Sequence, residues 1–233
     1  MNKHGITDPR HIAIIIDGNG RWAKKNGKDR NYGHLIGSRV VFDTLKTITE
    51  LGVEFFTVYA LSLENWKRPV EETSYLLDLF MHSMDEETIM NCNVRFRLLG
   101  RLDTLPQEVS DYLLGLEERT KANTGTVFTL CISYSGRWEI MEAFRKALEI
   151  GKTAEPVSEQ AIARLMPSSY LPNPDLIIRT GGESRLSNFM LWQSAYAELY
   201  FTDVLWPDFK REDLLYAIGY YQARERRFGN ITT

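Results

Sequence analysis

The stretch His11-Ile12-Ala13-Ile14-Ile15-Ile16-Asp17-Gly18-Asn19-Gly20-Arg21-Trp22 decides the fold. The unbroken apolar run from Ile12 to Ile16, mostly β-branched, fits a strand covered on both faces, as a central strand of a parallel sheet is. The run stops at a charge. Asp17 to Arg21 then sets a carboxylate, two glycines, an amide and a guanidinium ahead of a short helix, residues 22–26. Glycines let backbone N–H groups approach a ligand closely, and a helix start aims further N–H groups at the same point, which is the chemistry of a phosphate site. A plainer reading competes, in which Asp17 caps the helix and the glycines serve only the turn.

Outward from this stretch, apolar spacing predicts helices over 33–51, 70–90, 106–122, 138–150, 158–166 and 210–228, with strands over 55–61, 94–99, 126–133, 175–178 and 198–202. Strands alternating with helices give an α/β fold: a mostly parallel sheet of about six strands with helices on both faces. In such sheets ligands bind beyond the carboxyl ends of the strands. The segments leaving those ends read DGNGR, SLENWKR, SYSGR and RTGGESR, each with at least one arginine. Parallel strands would bring all four to one edge.

The 233 residues show no Pro/Gly/Ser-rich linker and no repeat, so the chain reads as an N-terminal tail (1–10), a single domain (11–229) and a C-terminal tail (230–233). A formal net charge of −3 gives no electrostatic footprint for nucleic acid, so any bound anion must be held by a local cluster. Cys92 and Cys131 have no metal-ligand spacing and read as reduced thiols. No apolar run approaches the ~20 residues that span a bilayer, and the expected location is the cytoplasm, with at most peripheral membrane contact.

Arg21, Arg68, Arg137, Arg179 and Arg185 around one mouth would repel one another unless anions sat between them, and planar guanidinium forks suit phosphate oxygens. Asp17 and Glu198 are candidates for a hard divalent cation, which takes few protein carboxylates and completes its shell with water and phosphate oxygens. The residues therefore point to two phosphate-bearing groups around one Mg2+. Ordinary ion pairs of these arginines with Glu64, Glu72 or Glu183 are the competing reading. His34 either donates to a phosphate or serves structure; Trp66 and Tyr134 either wall an apolar substrate or pack the core. The stripe Leu76, Leu77, Phe80, Met81, Met84 and Ile89 is core by default, or one wall of an elongated cavity for an isoprenoid or acyl chain.

As a set, Asp17-Gly-Asn-Gly-Arg-Trp-Ala23, Ser62-Leu-Glu-Asn-Trp-Lys-Arg-Pro69, Gly136-Arg-Trp-Glu-Ile140, Ile178-Arg-Thr-Gly-Gly-Glu183 and the segment around Ala195-Tyr-Ala-Glu-Leu-Tyr-Phe201 resemble the cis-prenyltransferase family, over nearly the whole chain. That resemblance implies a homodimeric enzyme that extends an allylic diphosphate, usually farnesyl diphosphate, by repeated addition of isopentenyl diphosphate with cis double bonds. It implies Asp17 and Asn65 in the chemistry, with Mg2+ on Asp17 and a contribution from Glu198. It also implies an allylic site from Gly18, Asn19, Gly20, Arg21, Trp22, Arg30, His34 and Arg68, flanked by Ser62, Glu64 and Trp66. Arg179, Arg185 and Ser187 match the isopentenyl diphosphate site. The expected product is a long-chain polyprenyl diphosphate such as the lipid carrier precursor of cell-wall synthesis.

Two other classes are weighed beside it. A dehalogenase-type phosphohydrolase would use Asp17 as nucleophile but needs a second acid two residues on, where this chain has Asn19. A non-catalytic prenyltransferase-like subunit would be expected to lack the Asp17 or Arg179 motif, and both are present.

Overall fold

The computed structural model describes residues 8–150 and 158–224. Six strands, β1 (His11–Ile15), β2 (Phe55–Ser62), β3 (Arg95–Leu99), β4 (Val127–Tyr134), β5 (Leu176–Arg179) and β6 (Glu198–Phe201), form one sheet in the order β3-β4-β2-β1-β5-β6. Each neighbouring pair runs parallel, so the α/β expectation holds and the sheet is parallel throughout. β1 is central and all five of its residues are buried, as its continuous apolar run requires.

Alternation along the strands feeds two cores. Ile12, Ile14, Phe56, Val58, Phe96 and Phe128 face one side, where they meet Phe42, Leu45 and Ile48 of α2 (Arg30–Glu50) and Leu113 and Leu116 of α5 (Gln107–Thr120). Ala13, Ile15, Tyr59, Cys131 and Ile177 face the other, packed with Phe189 and Met190. Burial pushes the Cys131 thiol well above its ordinary value, as an inert thiol should be. The remaining helices are α1 (Asn19–Lys25), α3 (Val70–His82), α4 (Glu86–Asn91), α6 (Gly136–Ile150), α7 (Glu159–Leu165) and α8 (Arg211–Gln222).

The short helix expected over 22–26 starts three residues earlier, as α1, and two of the other expected helices differ for a capping reason. The helix expected from residue 33 starts at Arg30, because the Asp29 side chain accepts the Tyr32 N–H at 2.8 Å and caps it, a contact that contributes about 1 kcal/mol. The single helix expected over 70–90 is two. Asp85 accepts the Thr88 N–H at 2.9 Å and opens α4, with Glu86 and Glu87 in its first turn, so the chain bends over Ser83 to Asp85. The expected link 152–156 and the end of the last helix beyond Arg224 lie outside the described residues. Among the described residues no helix is long and apolar enough to cross a membrane.

Candidate active site

Asp17 leaves β1 under tight control. Its N–H donates to Thr180 Oγ1 at 3.0 Å, and that hydroxyl donates back to the Asp17 carbonyl at 2.7 Å. The carboxylate does not cap α1: the cap position is Gly18, at φ 111°, a backbone conformation that glycine adopts freely. Instead Asp17 Oδ2 accepts from Arg179 Nη2 at 3.0 Å and Oδ1 faces Arg21 Nη2 at 3.2 Å. Burial works to raise the carboxyl, but the Arg179 hydrogen bond and the Arg21 charge outweigh it and hold the group below its ordinary value. Asp17 is therefore an anion at neutral pH.

A second cluster forms where the loop after β2 meets α2 and α3. Arg30 Nε and Arg68 Nη1 both donate to Glu72 Oε1 at 2.8 Å, and His34 Nε2 stands 3.6 Å from the same oxygen, too far for a hydrogen bond. Burial, with the charges of Arg30 and Arg68, lowers the His34 pKa to about 4 against the opposing pull of Glu72, so the ring is neutral at pH 7. Gly20 lets Arg30 lie across α1: a Cβ there would stand 2.7 Å from Arg30 Nη1. In the same loop Ser62 and Asn65 cap each other, the Asn65 N–H donating to Ser62 Oγ at 3.2 Å and the Ser62 N–H to Asn65 Oδ1 at 3.1 Å. That leaves the Asn65 NH₂ free of this turn.

These groups ring the mouth of a cavity of about 370 Å³. Its polar rim carries Asp17, Gly18, Asn19, Gly20, Arg30, His34, Ser62, Asn65, Arg68, Arg179, Arg185 and Ser187. Its walls are apolar: Val41 and Phe42 from α2, Leu76, Leu79 and Phe80 from α3, Met84 at the bend, and Phe128 and Leu130 from the sheet. Among the described residues, His34 Nε2 and Arg179 Nε are buried polar atoms without a hydrogen-bond partner, and both belong to this rim. Unpaired buried polar groups are costly, and an anion in the cavity mouth would satisfy them.

Several expectations are corrected. The arginines are held by carboxylates already in the chain, Asp17, Glu72 and Glu183, so their closeness alone does not demand bound anions. Arg137 is exposed and is not among the lining residues. Trp22 points outward, its Nε1 donating to Asp208 at 2.7 Å and its ring stacked on Tyr32. Trp66 donates to Ser133 Oγ at 2.7 Å and packs on the core, and Tyr134 is fully buried in the core with Tyr59 and Phe189, so neither lines the cavity. Glu64 is exposed and accepts from Asn188 Nδ2 at 2.8 Å rather than facing the cavity. The stripe expected over 70–90 divides: Leu76 and Phe80 of α3 and Met84 at the bend line the cavity, whereas Ile89 of α4 is fully buried core.

Glu198 is the clearest correction. It opens β6 in register with Leu176, the first residue of β5, whereas Asp17 follows the last residues of β1. In a parallel sheet a strand's start and a neighbour's end lie at opposite edges, so the two carboxylates of one chain do not share a site, and Glu198 Oε2 instead meets Arg224 Nε at 3.4 Å. Among the described residues no three His, Cys, Asp or Glu side chains form a metal cluster. The donor set around Asp17, one ionised carboxylate beside guanidinium and imidazole groups, nonetheless fits Mg2+, which keeps waters and takes one or two carboxylates with substrate phosphates.

Thr180, Ser38 and Asn188 were not singled out from the sequence. Asn188 carried a usable signal, an Asn in the polar run after a strand, since Asn tolerates left-handed backbone, and its φ is 66°.

The prenyltransferase family model, described as "Putative undecaprenyl diphosphate synthase", matches residues 15–229. An isoprenyl transferase of Chromobacterium violaceum is 46% identical over 230 residues, covering 98% of this chain and 91% of that protein. One of Thermotoga maritima is 46% identical, covering 96% and 97%. Among solved structures, lavandulyl diphosphate synthase of Lavandula x intermedia in complex with dimethylallyl diphosphate superposes with a TM-score of 0.91 at 35% identity, covering 96% of this chain and 99% of that one. A "probable undecaprenyl diphosphate synthase" of Campylobacter jejuni gives 0.81 at 31%, covering 97% and 100%. With the fold, the cavity and these matches together, the chain belongs to the undecaprenyl diphosphate synthase family of isoprenyl transferases.

Proposed function

We propose that this protein condenses isopentenyl diphosphate repeatedly onto an allylic diphosphate, farnesyl diphosphate being the expected primer, to give a long-chain cis-polyprenyl diphosphate of the kind used as a cell-wall lipid carrier. The reading is carried by one observation: a mouth lined with arginine, histidine and a single ionised aspartate opens directly into a cavity walled by aliphatic and aromatic side chains. A diphosphate with an isoprenoid tail has that same division of polarity.

Breaking the allylic C–O bond leaves a resonance-stabilised cation and sends the electron pair out with the diphosphate, so the protein's main task is to stabilise a departing anion. Arg30, Arg68, His34 and the first-turn N–H groups of α1 would receive it, and Asp17 would hold Mg2+, whose charge lowers the cost of that departure when bound. Arg179, Arg185 and Ser187 would hold the second diphosphate with its alkene turned toward the allylic carbon. The alkene's electron pair forms the new C–C bond, and a proton is then lost. Asn65, its NH₂ free of the Ser62 turn, would steady the released diphosphate, which is the proposed proton acceptor.

A homodimer belongs to the same reading, supported by the exposed apolar strip Met141, Phe144 and Leu148 at i, i+3 and i+7 on α6, which a second copy would cover. The same reading has the enzyme work in the cytoplasm and meet the membrane where its greasy product would leave.

Incubating the protein with farnesyl diphosphate, labelled isopentenyl diphosphate and Mg2+ tests the reaction. Label is expected in a butanol-extractable polymer, with chelator abolishing it. Phosphate release without chain growth would instead support the phosphohydrolase.

A further inference from the structure

We infer that Asn188 is a positioning residue that couples the two diphosphate subsites, an inference that rests on the prenyltransferase reading above. Asn188 touches neither subsite itself. Its carboxamide joins three of the loops that leave the sheet: Nδ2 donates to Glu64 Oε1 at 2.8 Å and to Ser135 Oγ at 2.6 Å, while Oδ1 accepts the Arg137 N–H at 3.0 Å. The Asn188 carbonyl accepts the Gly136 N–H at 2.7 Å. Both amide hydrogens and the amide oxygen are engaged, which fixes the side chain's orientation; an amide is the group that supplies donor and acceptor at once.

On one side of this junction stands the isopentenyl subsite. Ser187, the preceding residue, accepts from Arg179 Nη1 at 2.7 Å, and Arg179 reaches Asp17. Ser187 and Asn188 both have positive φ, 47° and 66°, so the loop's path depends on two consecutive left-handed residues. On the other side stands the allylic subsite. Glu64 directly precedes Asn65, and the turn from Leu63 to Lys67 delivers Arg68 to its place beside Glu72. The Glu64–Asn188 hydrogen bond is thus a direct side-chain link from the loop after β2 to the loop after β5. The loop after β4 contributes no side chain to the cavity rim; its role is to brace Asn188 from behind.

Because this link is already formed, a ligand that draws one loop inward draws the other with it, so the second ligand meets a loop already in place, and by reciprocity each ligand raises affinity for the other. The test is calorimetric binding of isopentenyl diphosphate, in Mg2+, with and without the unreactive thiolodiphosphate analogue of farnesyl diphosphate. For the wild type the analogue is expected to tighten isopentenyl diphosphate binding at least about fivefold, the lower end of ordinary coupling. Asn188→Asp keeps the backbone preference and the acceptor for Arg137 but sets a carboxylate against Glu64, and the expected ratio falls to about one, while each ligand alone still binds. Adding Glu64→Gln returns a donor to the pair, with donor and acceptor exchanged, and is expected to restore the ratio. That rescue separates coupling from misfolding. Coupling retained in Asn188→Asp, absent from the wild type, or not restored in the double variant overturns the inference while leaving the prenyltransferase reading standing. Failure of the wild type to bind either diphosphate overturns that reading and the inference with it.

Discussion

Arg179 Nη2 and Asp17 Oδ2 lie 3.0 Å apart, joining the ends of two neighbouring strands that are far apart in sequence. The same guanidinium donates through Nη1 to Ser187 Oγ at 2.7 Å and to the Arg185 carbonyl at 2.5 Å, and only 4% of Arg179 is exposed. One buried side chain therefore orients both the aspartate proposed for Mg2+ and the loop proposed for isopentenyl diphosphate. Its planar fork makes these contacts in fixed geometry, which a lysine ammonium does not reproduce.

Arg179→Lys is accordingly expected to lower kcat/KM for isopentenyl diphosphate by about 10²-fold, the scale of losing one preorganised electrostatic group, although the charge is retained. Steady-state kinetics with each substrate varied in turn checks this. A variant within a few-fold of wild type would show that the fork geometry is dispensable.

His34 gives a pH signature. Its folded pKa, lowered from 6.5 to about 4, leaves it neutral near pH 6, and a diphosphate beside it would raise that value. Binding the farnesyl thiolodiphosphate analogue at pH 6 is then linked to proton uptake by the ring, an uptake that fades as pH rises to 8, where His34 is neutral with or without ligand. Calorimetry in two buffers of different ionisation enthalpy measures it. The uptake is expected to exceed that of His34→Asn at pH 6 and to equal it at pH 8; equal values at both would place the ring outside the diphosphate's field.

Product length should follow the cavity walls. Phe128 is fully buried against the cavity, between Phe42, Phe56 and Phe96, and Val41 faces the same space from α2. Phe128→Leu makes room and is expected to shift products toward longer chains; Val41→Phe fills room and is expected to shorten them. Mass spectrometry of the dephosphorylated lipids reads both. Unchanged products in both variants would mean that the tail runs elsewhere.

How far the residues alone reach is clearest at β1. Its five consecutive buried residues dictate a central parallel strand, and the charge that ends it marks the site. The apolar runs of β2, β4 and β5 locate the other strands for the same reason, and the loops after β1, β2 and β5 do converge. Direction was harder to read. Trp22, Glu64, Trp66 and Arg137 stand in the right loops but point away from the cavity, because side-chain orientation depends on partners such as Asp208, Asn188 and Ser133 that come from distant segments. Glu198 shows the opposite limit: it begins a strand, and a parallel register alone excludes it from the edge that holds Asp17. The bend at Ser83 to Asp85 was legible in principle from the Asp85 cap followed by Glu86 and Glu87, but apolar periodicity runs straight through it.

The central claim is that one cavity holds the diphosphate at its mouth and the isoprenoid tail along its walls. A crystal structure of the complex with Mg2+ and the farnesyl thiolodiphosphate analogue measures this directly. The account predicts diphosphate oxygens within hydrogen-bond distance of Arg30, Arg68 and His34, with Asp17 on the metal and the tail between Val41 and Leu76. A diphosphate bound away from Asp17, or a tail lying in solvent outside α3, would contradict it.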